Sequence, residues 1–399
     1  MKNIILKIWK PIKNVLKKIR DFLYRNFITE IIPMKDQILL ESVPDFSDNT
    51  YNFYLELLKN DYQKKYKIIW ITQKEEIAPE FKRDDVFYFN EYKKGVFTKI
   101  KLHWLINRSK YIVTCNRFYK RKNSKQIILF LNHGMPLKDC TRLKMNYNDS
   151  TVSICSSKFF LNELSAIAGI DKEKLVIMQP PRNDGLFDDS VDAKKIMGFN
   201  NSKVVAWLPT FRKMSTYNRN DSKFDMPLGI PILYSEEELN KLNKYLKKIN
   251  VVLVLKPHPA QDLSVIKAKL YSNFKILYNS DLDKKQITLY QLLGQCDGLI
   301  TDYSSVYYDF LITKKPIGLT VDDIKEYGEG LGLAYDYFQT IKGHYIYELK
   351  DLYKFVDNIS NENDEYKNDR MKAIKKFDFD LEGNYSKKVF DYMKKHYKF

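Results

Sequence analysis

Cysteine is scarce in this 399-residue chain: there are four, Cys115, Cys140, Cys155 and Cys296, and no two of them form a CxxC pair. That argues against a zinc knuckle and a disulfide framework, and it predicts a reduced, cytoplasmic setting. Long apolar runs are missing too. No stretch approaches the roughly 20 consecutive apolar residues that cross a bilayer, and no small-residue cleavage site follows an apolar core near the N-terminus, so a protein neither secreted nor integral is expected. The phosphate-binding loops GxGxxG and GxxxxGK[ST] and the metalloprotease HExxH are absent, which removes three common enzyme readings. Histidine is sparse at five residues. Acidic residues are outnumbered, 50 against 67 Lys and Arg, and the formal charge of +17 favours anionic partners such as phospholipid, nucleic acid or a phosphorylated substrate.

What is present is globular. The chain is 44% apolar and longer than one hydrophobic core usually organises, so two domains are expected. Between Lys2 and Ile28 the residues Ile5, Ile8, Trp9, Ile12, Leu16, Ile19, Leu23 and Phe27 recur at helical spacing. Lys2, Lys7, Lys10, Lys13, Lys17, Lys18, Arg20 and Arg25 stand between them, opposed only by Asp21. This pairing predicts an amphipathic helix at residues 1–28 lying on an anionic membrane surface.

Beyond residue 30, short β-rich runs alternate with helical patterns. Strands are predicted at Gln37–Glu41, Tyr66–Ile71, Tyr111–Thr114, Ile127–Leu131, Val152–Cys155 and Val176–Met178, with helices near Tyr51–Lys59, Thr98–Asn107 and Lys158–Ala168. Regular structure is expected to pause at Pro180-Pro181. A second series follows, with strands at Val204–Leu208, Val251–Leu255, Phe274–Leu277, Gly298–Thr301 and Pro316–Leu319. The class is α/β: two Rossmann-type domains, 29–180 and 181–355, facing a central cleft, with bracing helices at 356–399. Asn358–Asp369 reads as a helix connection.

Candidate chemistry sits in loops after strands, where ligands of open α/β sheets bind. The first is Asn132-His133-Gly134-Met135-Pro136-Leu137-Lys138, in which His133 is a candidate base, Gly134 admits a close approach and Pro136 stiffens the loop. The second is Pro209-Thr210-Phe211-Arg212, with a guanidinium fork suited to phosphate oxygens. Lys256-Pro257-His258-Pro259 places a cation beside a rigidly aimed histidine, which suits a diphosphate better than a metal. In Asp302-Tyr303-Ser304-Ser305, a serine can cap the following helix and Asp309 lies one turn on. Asp281-Leu282-Asp283 is a short, common pattern with little claim to a metal. His103, His344 and His396 read as structural.

These loops, in this order, resemble the signature of the CDP-glycerol glycerophosphotransferase family. His133-Gly134 with Pro136-Leu137-Lys138 matches its HG-x-P-LK, Pro181-Arg182-Asn183-Asp184 its PRND, residues 209–212 its PTFR, His258-Pro259 its histidine-proline loop, and residues 302–305 with Asp309 its DYSS and following aspartate. Asn132 and Met135 stand where the family often has Trp and Thr, and Lys342-Gly343 replaces a Pro-Gly. The resemblance implies a GT-B fold and transfer of glycerol phosphate from CDP-glycerol to a terminal hydroxyl of a lipid-linked teichoic-acid-type acceptor, releasing CMP at the cytoplasmic face of the membrane. His133 and His258 would be catalytic. Asn132, Gly134, Met135, Pro136, Arg182, Pro209, Thr210, Arg212, Lys256, Pro257, Ser304, Ser305 and Asp309 would bind substrate. No resident metal or cofactor is implied. The same fold admits a CDP-ribitol or capsule phosphotransferase. A nucleic-acid-binding protein, the reading from another class, predicts interleaved aromatic and basic residues on one surface, whereas the basic stripe here accompanies an apolar helix face.

Overall fold

The computed structural model describes residues 31–92, 95–199, 201–214, 219–222, 224–258 and 271–399. The basic segment 1–28 and Pro259 lie outside the described residues. The chain divides into two compact units, Met1–Leu131 with Asp149–Val152, and Asn132–Asn148 with Ser153–Phe399.

In the first unit β1 (Lys35–Glu41), α1 (Asp48–Lys59), β2 (Lys67–Thr72), β3 (Phe87–Asn90), α2 (Val96–Arg108), β4 (Ser109–Thr114) and β5 (Ile127–Phe130) follow in chain order. The strands run parallel in the order β3-β2-β1-β4-β5. Parallel strands are covered on both faces, which is why β1 and β2 read as continuous apolar runs rather than alternating ones. Leu39, Ile69, Ile71, Phe89, Ile112 and Ile128 form a core with Leu105 of α2. The strand β3 has no counterpart among those expected from sequence. It is four residues long, with polar neighbours and only Phe89 of the four fully buried.

The second unit contains β6 (Val152–Cys155) apart from its first residue, α3 (Leu161–Ala168) and β7 (Leu175–Ile177), with β7 parallel to β6. After them come β8 (Lys203–Leu208), the hairpin β9 (Lys213–Met214) and β10 (Arg219–Asn220), α4 (Glu236–Lys248), β11 (Val251–Leu255), β12 (Phe274–Ile276), α5 (Leu289–Gln295), β13 (Gly298–Thr301), α6 (Val306–Leu311), β14 (Ile317–Thr320) and β15 (His344–Ile346). Three helices close the chain: α7 (Leu349–Ser360), α8 (Lys367–Phe377) and α9 (Tyr385–Tyr397). The six-stranded sheet is parallel in the order β12-β11-β8-β13-β14-β15. The chain thus steps outward from β8 to β12, returns, and steps outward on the other side from β13. The strand order reverses between β8 and β13, and ligands of doubly wound sheets bind beyond the carboxyl ends of strands at such a switch point.

Regular structure pauses at residues 178–180, between the end of β7 and Pro181, which opens a 3₁₀ helix over Pro181–Phe187; proline suits the first helical turn, where an N–H has no partner anyway. The strand β15 has no counterpart in the sequence pattern because its three residues include His344, which is buried against the rings of Phe355 and Tyr366.

The 3₁₀ turn is seated by glycine. A Cβ on Gly294 of α5 would fall 2.4 Å from the carbonyl oxygen of Leu186, a backbone atom that cannot swing aside. Gly294→Ala is therefore expected to lower stability by about 1–3 kcal/mol. Urea denaturation measures this, and an unchanged midpoint would mean that α5 and the turn separate without cost.

Candidate active site

The two strands at the switch point end in two of the motif loops. Leu208 pairs in register with Thr301, so Pro209–Arg212 and Asp302–Ser305 leave the sheet side by side. Asp302 knits them together: its carboxylate accepts from the Thr210 amide at 3.0 Å and from the Thr210 hydroxyl at 3.1 Å. Arg212 is buried, and its fork is held by carboxylates on both sides. Nη1 donates to Asp302 at 2.8 Å, Nε to Asp323 at 2.6 Å and Nη2 to Asp323 at 2.9 Å. Its guanidinium lies over the rings of Tyr303 and Tyr327, about 5 Å from each centroid. Burial works against the charge on Arg212, but Asp302 and Asp323 outweigh it and push its pKa up. Tyr303 donates to Asp323, and burial followed by the Asp323 charge pushes that phenol well above its usual range. Arg212, expected to grip phosphate, is thus engaged inside the protein, where it ties β8, β13 and the turn after β14 into one base for the site.

A second buried ion pair organises the His133 loop. Arg182, on the 3₁₀ turn, donates through Nη2 to Asp309 at 2.7 Å and through Nη1 to the carbonyl of His133 at 2.8 Å. Tyr290 of α5 donates its hydroxyl to the same Asp309 oxygen at 2.6 Å, and its ring lies under the guanidinium. Gly134 is packed so closely that a Cβ there would sit 2.1 Å from Ser305 Oγ and 2.7 Å from Ser305 Cβ. The His133 side chain is exposed, beside this crossing of loop and helix start.

The rest of the loop is fastened from within. Asn132 adopts a left-handed backbone, φ 53°, and donates to Ser153 Oγ and the Ile154 carbonyl at 3.0 and 2.7 Å. Met135 is buried, with its sulfur accepting from the Ser156 amide, and Pro136 accepts from the hydroxyl of Tyr308. Asn132, Met135 and Pro136 were expected to meet substrate, but their side chains face the protein interior. Ser305 occupies the N-cap position of α6 without a side-chain cap bond, while Ser304 Oγ accepts a long bond from the Val306 amide at 3.4 Å.

Lys256 and His258 follow β11, next to β8. The His258 ring is exposed and packs on Phe211 at 4.8 Å, and the Lys138 ammonium approaches the same Phe211 ring at 5.3 Å. Phe211 therefore touches side chains from two other motif loops. Burial pushes the Lys256 ammonium down to about 8, opposed in part by Asp283. Asp281 is spent on the Tyr278 amide, and among the described residues no group of three His, Cys, Asp or Glu side chains is placed to hold a metal ion. Asp323, Tyr303 and Tyr290 are the residues that sequence reasoning missed. Asp323 and Tyr290 belong to no motif, and Tyr303 gave no signal beyond its place between Asp302 and Ser304.

A profile of the CDP-glycerol:poly(glycerophosphate) glycerophosphotransferases matches residues 24–395. The chain belongs to this family. Among its relatives, the teichoic acid glycerol-phosphate primase of Bacillus subtilis is 28% identical over 77% of this chain and 80% of the relative. The teichoic acid poly(glycerol phosphate) polymerase of Bacillus spizizenii is 25% identical over 96% and 98%. The wall teichoic acid polymerase TagF shares the fold, with a TM-score of 0.69 at 22% identity over 100% of this chain and 98% of that one. A candidate UDP-N-acetylglucosamine 2-epimerase from Listeria monocytogenes shows the same α/β architecture at a TM-score of 0.53, 12% identity, and 91% and 97% coverage. As a family member the chain is a glycerophosphotransferase of teichoic acid biosynthesis, and the motif loops described above lie within the matched region.

Two outcomes follow from this geometry. Gly134→Ala is expected to cost about 1–3 kcal/mol through overpacking, and adding Ser305→Gly should recover much of it, because that change removes both clashing atoms. A double-mutant cycle in urea measures the coupling, and strict additivity would show that the loop and the α6 start do not press on each other. Lys256 gives the second. Its folded pKa of about 8 lies below the ordinary lysine value of 10.5, so the charged form is disfavoured by burial and is regained when an anion binds beside it. An anionic substrate should bind tightly below pH 8 and more weakly as pH rises through 8, and Lys256→Met should remove that dependence. The KM for the donor measured from pH 6 to 9.5 checks it.

Proposed function

We propose that this enzyme binds CDP-glycerol in a GT-B arrangement of two Rossmann-type domains, 29–180 and 181–355, and passes glycerol phosphate to the terminal hydroxyl of a lipid-linked acceptor. The observation that carries the reading is the convergence of the 132–138, 181–184, 209–212, 256–258 and 302–309 loops within one unit, around the crossing of Gly134 and Ser305. The acceptor oxygen forms a bond to the phosphorus that bears glycerol. The bond from that phosphorus to the bridging oxygen breaks, its electron pair leaves with CMP, and the hydroxyl proton passes to His133. Lys256 and His258 face the diphosphate, and the half-buried 134 and 304–305 segments lie beside it. Asn132, Met135, Pro136, Arg182, Arg212 and Asp309 act by holding these groups in place. Residues 1–28 rest on the cytoplasmic face of the membrane and keep the enzyme at its acceptor.

Purified protein supplied with CDP-glycerol or CDP-ribitol and a lipid-linked acceptor tests the reading by CMP release, and product size separates one added unit from a ladder. Faster release with CDP-ribitol would transfer the assignment to the ribitol branch, in which a Staphylococcus aureus relative is 22% identical over 80% of this chain and 55% of the relative. Release with neither donor would overturn it. His133→Ala should lower kcat by roughly 10²–10⁴-fold with little change in donor KM, and near-normal turnover at saturation would remove His133 from the role of base.

A further inference from the structure

Helix α2 of the first unit is apolar on two opposite faces. One face carries Leu102, Leu105 and Ile106, which pack on the sheet with Phe87 and Phe89. The other faces solvent: Val96 is 69% exposed, Phe97 87%, Ile100 52% and Trp104 40%. At about 100° per residue these four fall within roughly a 100° sector of the helix, so they form one stripe rather than scattered positions. A soluble helix ordinarily sets charged residues opposite its core face, and large contiguous exposed apolar surface marks an interaction site.

The charge around the stripe identifies what covers it. From Tyr92 to Lys110 there are six cations, Lys93, Lys94, Lys99, Lys101, Arg108 and Lys110, and no Asp or Glu. Lys99 falls on one side of the stripe and Arg108 on the other, with the Arg108 guanidinium 4.1 Å above the Trp104 ring, whereas the Lys101 ammonium leans over the Phe87 and Phe89 rings of the sheet. Tyr92, just before the helix, is also 55% exposed. Aromatic rings are the side chains best suited to the boundary between headgroups and acyl chains, and lysine or arginine beside them meets anionic headgroups. A protein partner of matching shape would need acidic residues on both sides of an apolar ridge, whereas an anionic bilayer presents that chemistry at every point.

We infer that Val96, Phe97, Ile100 and Trp104 insert into the headgroup region of an anionic lipid bilayer, with Lys99 and Arg108 on its phosphates. This surface is independent of which alditol the enzyme transfers.

Full-length protein is sedimented with vesicles of phosphatidylcholine alone or mixed with phosphatidylglycerol. Wild type should bind the anionic vesicles and lose them as salt rises. The exposed triple substitution Phe97→Gln, Ile100→Gln, Trp104→Gln should weaken that binding by roughly tenfold or more, while CMP release with a water-soluble acceptor stays unchanged. Lys99→Glu should weaken it on anionic vesicles only. Brominated lipid should quench an emission component present in wild type and absent from Trp104→Phe, which locates the helix whatever residues 1–28 contribute. Unaltered vesicle binding by the triple variant, or no quenching assigned to Trp104, overturns the inference. A change in oligomeric state with unchanged vesicle binding would instead assign the stripe to a second copy of the chain, and it too overturns the proposal.

Discussion

The ion pair between Arg182 and Asp309 is the contact on which the rest of the candidate site depends. Both side chains are about 6% exposed, and removing one partner from such a pair typically costs about 3–5 kcal/mol because the other charge is left buried. The pair joins pieces far apart in sequence. Arg182 comes from the 3₁₀ turn and Asp309 from α6; Tyr290 of α5 shares the carboxylate, and the His133 carbonyl shares the guanidinium. One planar group with donors in a fixed fork thus sets the height of the His133 loop above the start of α6. Lysine, a point charge, would not fix two acceptors at set angles.

The second arginine cluster solves a different problem. The switch point between β8 and β13 needs two loops to leave the sheet together without collapsing into the crevice between them. Arg212 bridges Asp302 and Asp323, Asp302 ties down the Thr210 amide, and the Tyr303 and Tyr327 rings stack 4.1 Å apart under the guanidinium. The cluster sets two carboxylates and one guanidinium beneath the candidate site. The cation of Lys256 stands after the neighbouring strand β11, where burial keeps its charge easily lost.

Much of the architecture was legible because doubly covered parallel strands write themselves as unbroken apolar runs. Val251–Leu255 and Gly298–Thr301 appear in the structure with the bounds that the sequence suggested. The elements that escaped were short or mixed, such as Phe87–Asn90 and His344–Ile346, where three or four residues carry too little pattern. The motif loops were visible as loops after strands, yet the sequence shows which residue types are present and not which way they point. Arg212 and Arg182 read as surface cations looking for phosphate because their partners Asp323 and Asp309 are over 100 residues away along the chain. Asn132 read as a substrate contact because nothing local announces the Ser153 hydroxyl or the Ile154 carbonyl that it meets.

The Arg182 turn has one more tether, and it bears on how the enzyme is made. Asp184, two residues on, accepts from the amides of Tyr385 and Ser386 at the start of α9, at 2.6 and 2.8 Å across 201 and 202 positions of sequence. A ribosome must therefore add some two hundred more residues before the carboxylate of Asp184 finds its partners. Until then the turn that carries Arg182 lacks this anchor, and the last helix of the chain is what completes its fastening.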